Sequence, residues 1–256
     1  MIRLLVIIAV VGFLTCIVTL GGAVALGGRD IAAQGWDRWS WSDRDWNIGW
    51  DERGQRHGSW RNHHKDDPEW ATTTREIAWD GATALMLDVP GEVTFTQVPE
   101  GPGKLTVTGP KRSVDTLTLS GGRLTDGVSH TGGRLKIILT APKVTRFELK
   151  GVDRLNIEAY DQDSLEISTT GMAKVTGQGK TKALKLNMTG AGDADLAGLD
   201  AESAEVSISG AAEATIAPRT SAKLDISGSG EVDLKTRPLK LEKNVSGSGE
   251  VRELES

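Results

Sequence analysis

From about residue 146 to the C-terminus, short runs of alternating apolar and polar residues lead into glycine, and the pattern recurs. The marker glycines are Gly151, Gly171, Gly190, Gly210, Gly228 and Gly247, spaced 20, 19, 20, 18 and 19 residues apart. Four positions before each glycine stand Phe147, Ile167, Leu186, Val206, Leu224 and Lys243. Two before stand Leu149, Thr169, Met188, Ile208, Ile226 and Val245. Four after stand Leu155, Val175, Ala194, Ala214, Val232 and Val251. Alternation of this kind predicts a short strand on each side of the glycine, with one face buried. The glycine suits a sharp corner where φ is positive. A fixed period near 19 predicts a stacked array.

The outward columns bear on how the repeats meet. Five before each glycine run Arg146, Glu166, Lys185, Glu205, Lys223 and Glu242, with the sign changing at every step. Stacked strands lie about 4.8 Å apart, and opposite charges at that separation attract. The ladder favours parallel, in-register stacking. One before the glycine run Lys150, Thr170, Thr189, Ser209, Ser227 and Ser246, mostly hydroxyls. The expected fold is all-β: a parallel β-solenoid, or β-helix, with coils of about 19 residues, preceded by one N-terminal transmembrane or signal helix. A tandem of hairpins in a sandwich is the other arrangement weighed. Lys243, in an otherwise apolar column, is expected to guard the open edge of the last coil against further stacking.

Upstream, residues 77–140 alternate less regularly, at Leu85-Leu87-Val89, Val93-Phe95, Leu105-Val107, Leu117-Leu119 and Leu135-Ile137-Leu139. These are expected to be N-terminal coils or a flanking sheet of the same domain. At the start, residues 4–28 are uncharged and apolar, long enough to span a bilayer. They are expected to be a transmembrane anchor with the N-terminus inside, or a signal cleaved after Ala25. The domains expected are 1–28 as anchor or signal, 29–76 as a Trp-rich polar linker, and 77–256 as the solenoid. Residues 36–70 hold Trp36, Trp39, Trp41, Trp46, Trp50, Trp60 and Trp70 without an accompanying stretch of Leu, Ile or Val. That composition suits a flexible spacer or an interfacial collar.

Composition narrows the chemistry. The 256 residues carry 31 glycines, one cysteine and a net charge of −5. Nucleic acid is not an expected partner. Cys16 lies in the apolar run, so the polar part has no disulfide and no thiol nucleophile. His57, His63 and His64 match no structural zinc spacing, and neither metal nor cofactor is expected. His130 has no visible Ser/Asp partners for catalysis. The sharpest feature is acidic. Asp193, Glu213, Glu231 and Glu250 stand three after successive glycines, and Asp195 and Asp233 stand five after two of them. These six form the candidate acidic contact face. Such a face can be a solvated surface, meet a cation or a basic partner, or supply paired carboxylates to a carbohydrate-cleaving β-helix enzyme.

The recurring SGSGE(V), at Ser227–Val232 and Ser246–Val251, resembles the auto-transporter adhesin head GIN domain family, over about residues 77–256. The resemblance implies a β-solenoid in a bacterial envelope protein, with adhesion suggested by the family name. Earlier corners depart from SGSG, as at Thr170-Gly171-Met172 and Ser209-Gly210-Ala211, which argues against a ligand role for the serines. The expected function is non-enzymatic: an exported envelope protein presenting a solenoid for adhesion or partner contact. Carbohydrate-active enzyme and membrane-tethered sensor or scaffold are the alternatives. Expected partners are the membrane, through residues 4–28, an envelope or surface partner, and other copies of the chain. The expected location is the cell envelope: the periplasmic side of the inner membrane if anchored, the periplasm or surface if cleaved.

Overall fold

The strongest topological constraint is the length of one extended run. In the computed structural model, which describes residues 71–127 and 133–253, strand geometry continues without a break from Arg146 to Gly228 over 83 residues. Drawn out straight, that run would reach about 270 Å. Its partners show that it turns back on itself. Its start pairs with strands β2 (Ala84–Leu87) and β3 (Gly91–Gln97), both parallel. Its end pairs with strands β9 (Glu231–Leu234) and β10 (Lys240–Gly247), again parallel. Glu231 lies on Glu213, Lys240 on Ser221, and Glu250 of β11 (Glu250–Glu253) on Glu231. Each step is one repeat. The run Arg146–Gly228 is strand β8.

The glycine column carries the chain through the corner. Gly171, Gly190, Gly210, Gly228 and Gly247 all have φ between +109° and +128°. A Cβ on any of them would sit 2.2–2.5 Å from the carbonyl oxygen of the preceding glycine in the column. Glycine is required twice here, for its φ and for the close approach. A second corner lies near Ala159, the one non-glycine residue with positive φ among the described residues, and Gly179, which passes against the Tyr160 backbone.

Inside the run the apolar columns are sealed. Phe147, Ile167, Leu186, Val206 and Leu224 are fully buried, as are Leu155, Val175, Leu196 and Ile216. Burying a side chain of this size contributes about 1.5–3 kcal/mol, and the column spreads that gain along the whole stack. Polar side chains outside form their own ladders. Thr176 donates to Asn156 (2.9 Å), Asn187 to Ser168 (3.4 Å) and Asn244 to Asp225 (3.3 Å). Lys243 pairs in register with Leu224, as its column requires, but no strand covers it among the described residues and it is exposed.

The N-terminal part closes the other end by a different plan. Strands β1 (Thr72–Ala78), β4 (Lys104–Pro110) and β7 (Leu135–Ala141) lie side by side, antiparallel, and β7 then pairs parallel with β3. A short helix, α1 (Lys111–Thr116), and the hairpin β5 (Leu117–Ser120)–β6 (Arg123–Asp126) follow β4, and β6 pairs with β2. The layer β2–β3 is therefore sandwiched, with β6 and β7 on one side and β8 on the other. The eleven strands of the described residues belong to one sheet, which bends nearly closed, and the domain is all-β. Among the described residues the first strand starts at Thr72, inside the tract read as linker. Trp79 turns inward and donates its indole N–H to the Ala82 carbonyl (3.0 Å). Residues 4–28, the linker tryptophans and all four histidines lie outside the described residues. Among the described residues no helix is long and apolar enough to cross a membrane.

Candidate functional site

Two outward faces concentrate the charge, and strand alternation places both. In β8 the side chains on either side of a buried position point to solvent, so the residues flanking the Ile167 column and the Val175 column form two exposed stripes. The first stripe is the alternating ladder. Arg146 donates to Glu166 at 2.8 Å, Lys223 lies 3.6 Å from Glu205, and Glu242 is in register with Lys223. The Glu242 carboxyl is held below its ordinary range, first by its hydrogen bond from Lys240 and then by that charge. Lys185 sits between Glu166 and Glu205 in the column but forms no ion pair among the described residues. Beside the ladder runs a groove of about 840 Å³, lined by all six ladder residues and by the small side chains Ser164, Ala183, Ser203 and Ser221.

The second stripe is the acidic face. Glu213, Glu231 and Glu250 are neighbours in strand register. Asp193 and Asp195 precede them, and Asp233 lies beside Glu231. Cations bracket the stripe. Lys174 reaches Asp193 at 3.2 Å, and Arg252 binds both Glu231 and Glu250. The Arg252 hydrogen bond, followed by its charge, lowers the Glu250 carboxyl below its usual value. Asp195 accepts the Ala197 backbone N–H (3.2 Å). Asp195 and Glu213 are the exposed acids of this face that form no ion pair among the described residues. Arg252 is written in the sequence as the basic end of the column that holds Asp233, but its reach to the adjacent column appears only in the structure.

One buried polar group escaped the sequence reading. Asp153 is 5% exposed; its Oδ1 accepts the Gly91 N–H at 2.9 Å and its Oδ2 has no hydrogen-bond partner among the described residues. Burial pushes this carboxyl up, against the pull of the Gly91 hydrogen bond and the Arg134 charge. In later repeats its position belongs to Ala173, Gly192, Ala212, Gly230 and Gly249. That break in a small-residue column was the available signal. Tyr160 is also buried, and its hydroxyl donates to the Ser164 carbonyl (2.5 Å), which fixes the second corner. Among the described residues, no cluster of His, Cys, Asp and Glu has the geometry to hold a metal ion.

Comparison with known proteins supplies the frame. The crystal structure of a "putative adhesin" from Bacteroides fragilis is 20% identical, with a TM-score of 0.57, covering 73% of this chain and 99% of that one. Its likeness is one of fold. A "putative lipid binding protein" from Parabacteroides distasonis is 17% identical, with a TM-score of 0.45, covering 72% of this chain and 97% of that one. No curated protein matches. A family model matches residues 93–238, more than half of the chain. The chain belongs to the family described as "putative auto-transporter adhesin, head GIN domain".

Proposed function

We propose that this chain is an exported, non-enzymatic envelope protein whose repeats form a β-solenoid, with coils of 18–20 residues, and that the solenoid presents its outward columns for contact outside the cytoplasmic membrane. One observation carries the reading: the carboxylates of the acidic face lie side by side along the stack, Glu213 on Glu231 on Glu250, in strand register. A glycosidase needs two carboxyl groups converging across a bond from opposite sides. Side-by-side acids on a flat stripe suit surface recognition, and Arg252 lowers the Glu250 carboxyl, the reverse of what a general acid needs. Family membership supports export and adhesion, and the apolar segment 4–28 supports attachment to the membrane.

The test uses the full chain in an export-competent bacterial host. Fractionation should place it in the envelope, with the β domain open to added protease once the outer barrier is removed. Cells stripped of that barrier are then counted on two lawns of likewise stripped cells, one lacking the chain and one carrying it. Raised retention on either lawn, abolished by protease, is the expected result. A full-length soluble cytoplasmic protein, or unchanged retention on both lawns, overturns the reading.

A further inference from the structure

The alternating ladder has a symmetry that its role inside the chain does not require. Along the stack it runs Arg146, Glu166, Lys185, Glu205, Lys223, Glu242. Read from the other end, every sign is reversed. A second copy turned end over end and set ladder to ladder brings Arg146 opposite Glu242, Glu166 opposite Lys223 and Lys185 opposite Glu205, each pair occurring twice. Two parallel copies in register would set every charge against its own sign. An antiparallel copy slid by one repeat would do the same. A parallel copy slid by one repeat would make five opposite pairs but leaves an open-ended arrangement; the antiparallel copy without slip makes all six and closes on itself.

We propose that this stripe docks a second copy of the chain, antiparallel and two-fold symmetric. The proposal rests on the contact reading above and names the partner. Three features support it. The adjacent column, Glu148, Ser168, Asn187, Ser207, Asp225 and Asn244, meets itself in the same arrangement without a like-charged pair. On the other side, Ser164, Ala183, Ser203 and Ser221 line the groove of about 840 Å³, which leaves room for long side chains from both copies to reach one another. Lys185, which meets Glu205 next to the two-fold axis, forms no ion pair among the described residues and is exposed. The outermost pairs contribute least, because Glu242 already binds Lys240 at 2.6 Å.

Orientation gives the docking its meaning. Strand β1 lies at one end of the stack, and β10 and β11 at the other. An antiparallel pair therefore has its two β1 edges at opposite ends of the strip, which suits domains carried by two opposed surfaces. The ladder spans about 25 Å over five repeat steps. Such a strip is weak for a single pair and becomes effective when many copies act together between two surfaces.

The test reconstitutes the full chain in phosphatidylcholine vesicles of two colours and counts co-clusters. Wild-type vesicles should cluster at low salt and disperse at about 0.5 M salt. Lys185→Glu in both populations sets acid against acid beside the axis and should cut clustering about tenfold, and Glu205→Lys in both should do the same. Mixing Lys185→Glu vesicles with Glu205→Lys vesicles pairs opposite charges again and should restore clustering. The swap of Glu166→Lys against Lys223→Glu is a second, independent arm, should either central variant fold poorly. Absent wild-type clustering, undiminished clustering of the single variants, or no rescue in either mixture overturns the proposal. Retention on lawns lacking the chain would still support the broader contact reading, so the two failures are distinguishable.

Discussion

The two ends of the β domain reach similar burial by opposite routes. In the N-terminal part, through Thr145, neighbouring strands other than the β5–β6 hairpin come from distant stretches of chain, and their directions mix. Arg146 lies on Ala84, and Leu135 on Gly91. The glycines there that are closely approached each meet a different neighbour: Gly103 lies against the Trp79 ring, Gly109 against Leu135, and Gly122 against the Ala84 carbonyl. In the repeat part the partner is always the preceding repeat, and the glycines of one column all meet the glycine before them. A repeating solution needs only one good corner, copied. A terminus needs a bespoke cap, because nothing continues the pattern beyond it.

The largest expected effect lies where the two regions join. Phe95 of β3 meets Phe147 of β8 edge to face, with ring centroids 5.2 Å apart and planes at 61°. Phe147→Ala should cost about 3–5 kcal/mol, as a buried aromatic truncation does, measured by chemical denaturation. A single cooperative transition would persist if cap and repeats fold as one unit. Two separated transitions would show that the cap is an independent module.

Next come the corner glycines, which sharpen the contrast within one column. Gly210→Ala combines a φ of +128° with a Cβ placed 2.2 Å from the Gly190 oxygen. It should cost about 3 kcal/mol. Gly151, first of the column, has φ +129°, but its Cβ would meet only an Asp153 oxygen at 3.9 Å. Gly151→Ala should cost about 1 kcal/mol, from backbone strain alone. Equal losses would mean that the stacked approach carries no weight.

That contrast also marks what the sequence made legible. The columns ending in Gly171 to Gly247 announced their strands, corners and buried faces, because each repeat is an independent statement of the same pattern. The strands at Leu85–Leu87, Val93–Phe95 and Leu135–Leu139 were visible by alternation alone. Their placement was not: the sandwiching of β2–β3 between β7 and β8 depends on a long excursion through β4, α1 and the β5–β6 hairpin, and no local period encodes it. Strand β1 escaped because its TTTREIA is too polar to read as half-buried, yet it needs only an edge on β4. The register relations within the ladder and the acidic face, Glu242 on Lys223 and Glu250 on Glu231, follow the repeat period. The reach of Arg252 across two columns, and the burial of Asp153, depend on side-chain geometry that alternation does not specify.

Asp153 offers a smaller, pH-dependent test at the same junction. Its folded carboxyl titrates above the ordinary carboxylate value because burial disfavours its charge. The stabilising contribution of the protonated form is complete below the unfolded value and is lost as pH rises through the folded one. Asp153→Asn keeps an oxygen for the Gly91 N–H and removes the charge. It should stabilise the protein by about 1 kcal/mol at neutral pH and change little in acid, seen in denaturant midpoints across pH. A variant destabilised equally at both pH values would show that the carboxyl is needed for its shape.

The smallest effects are in the ladder. A double-mutant cycle on Arg146 and Glu166, bonded at 2.8 Å, should give a coupling of about 0.2–1 kcal/mol. The same cycle on Lys185 and Glu205 should give close to zero within one molecule. A strong Lys185–Glu205 coupling at dilution would mean that the lysine is already satisfied inside the chain, leaving less of it for a partner.

The central claim, that each repeat lies parallel and in register on the one before it, can be tested most directly by cross-linking. Ser246 lies on Ser227 in the strand register, and Ser209 holds the same column one repeat earlier. In the full chain with Cys16→Ser, Ser227→Cys and Ser246→Cys should join under mild oxidation, because adjacent strands bring Cα atoms within the range a disulfide spans. Ser209→Cys with Ser246→Cys, two repeats apart at about 9–10 Å, should stay reduced. Ready cross-linking of the 227–246 pair alone supports the stack. Failure of that pair, or equal cross-linking of both, contradicts it.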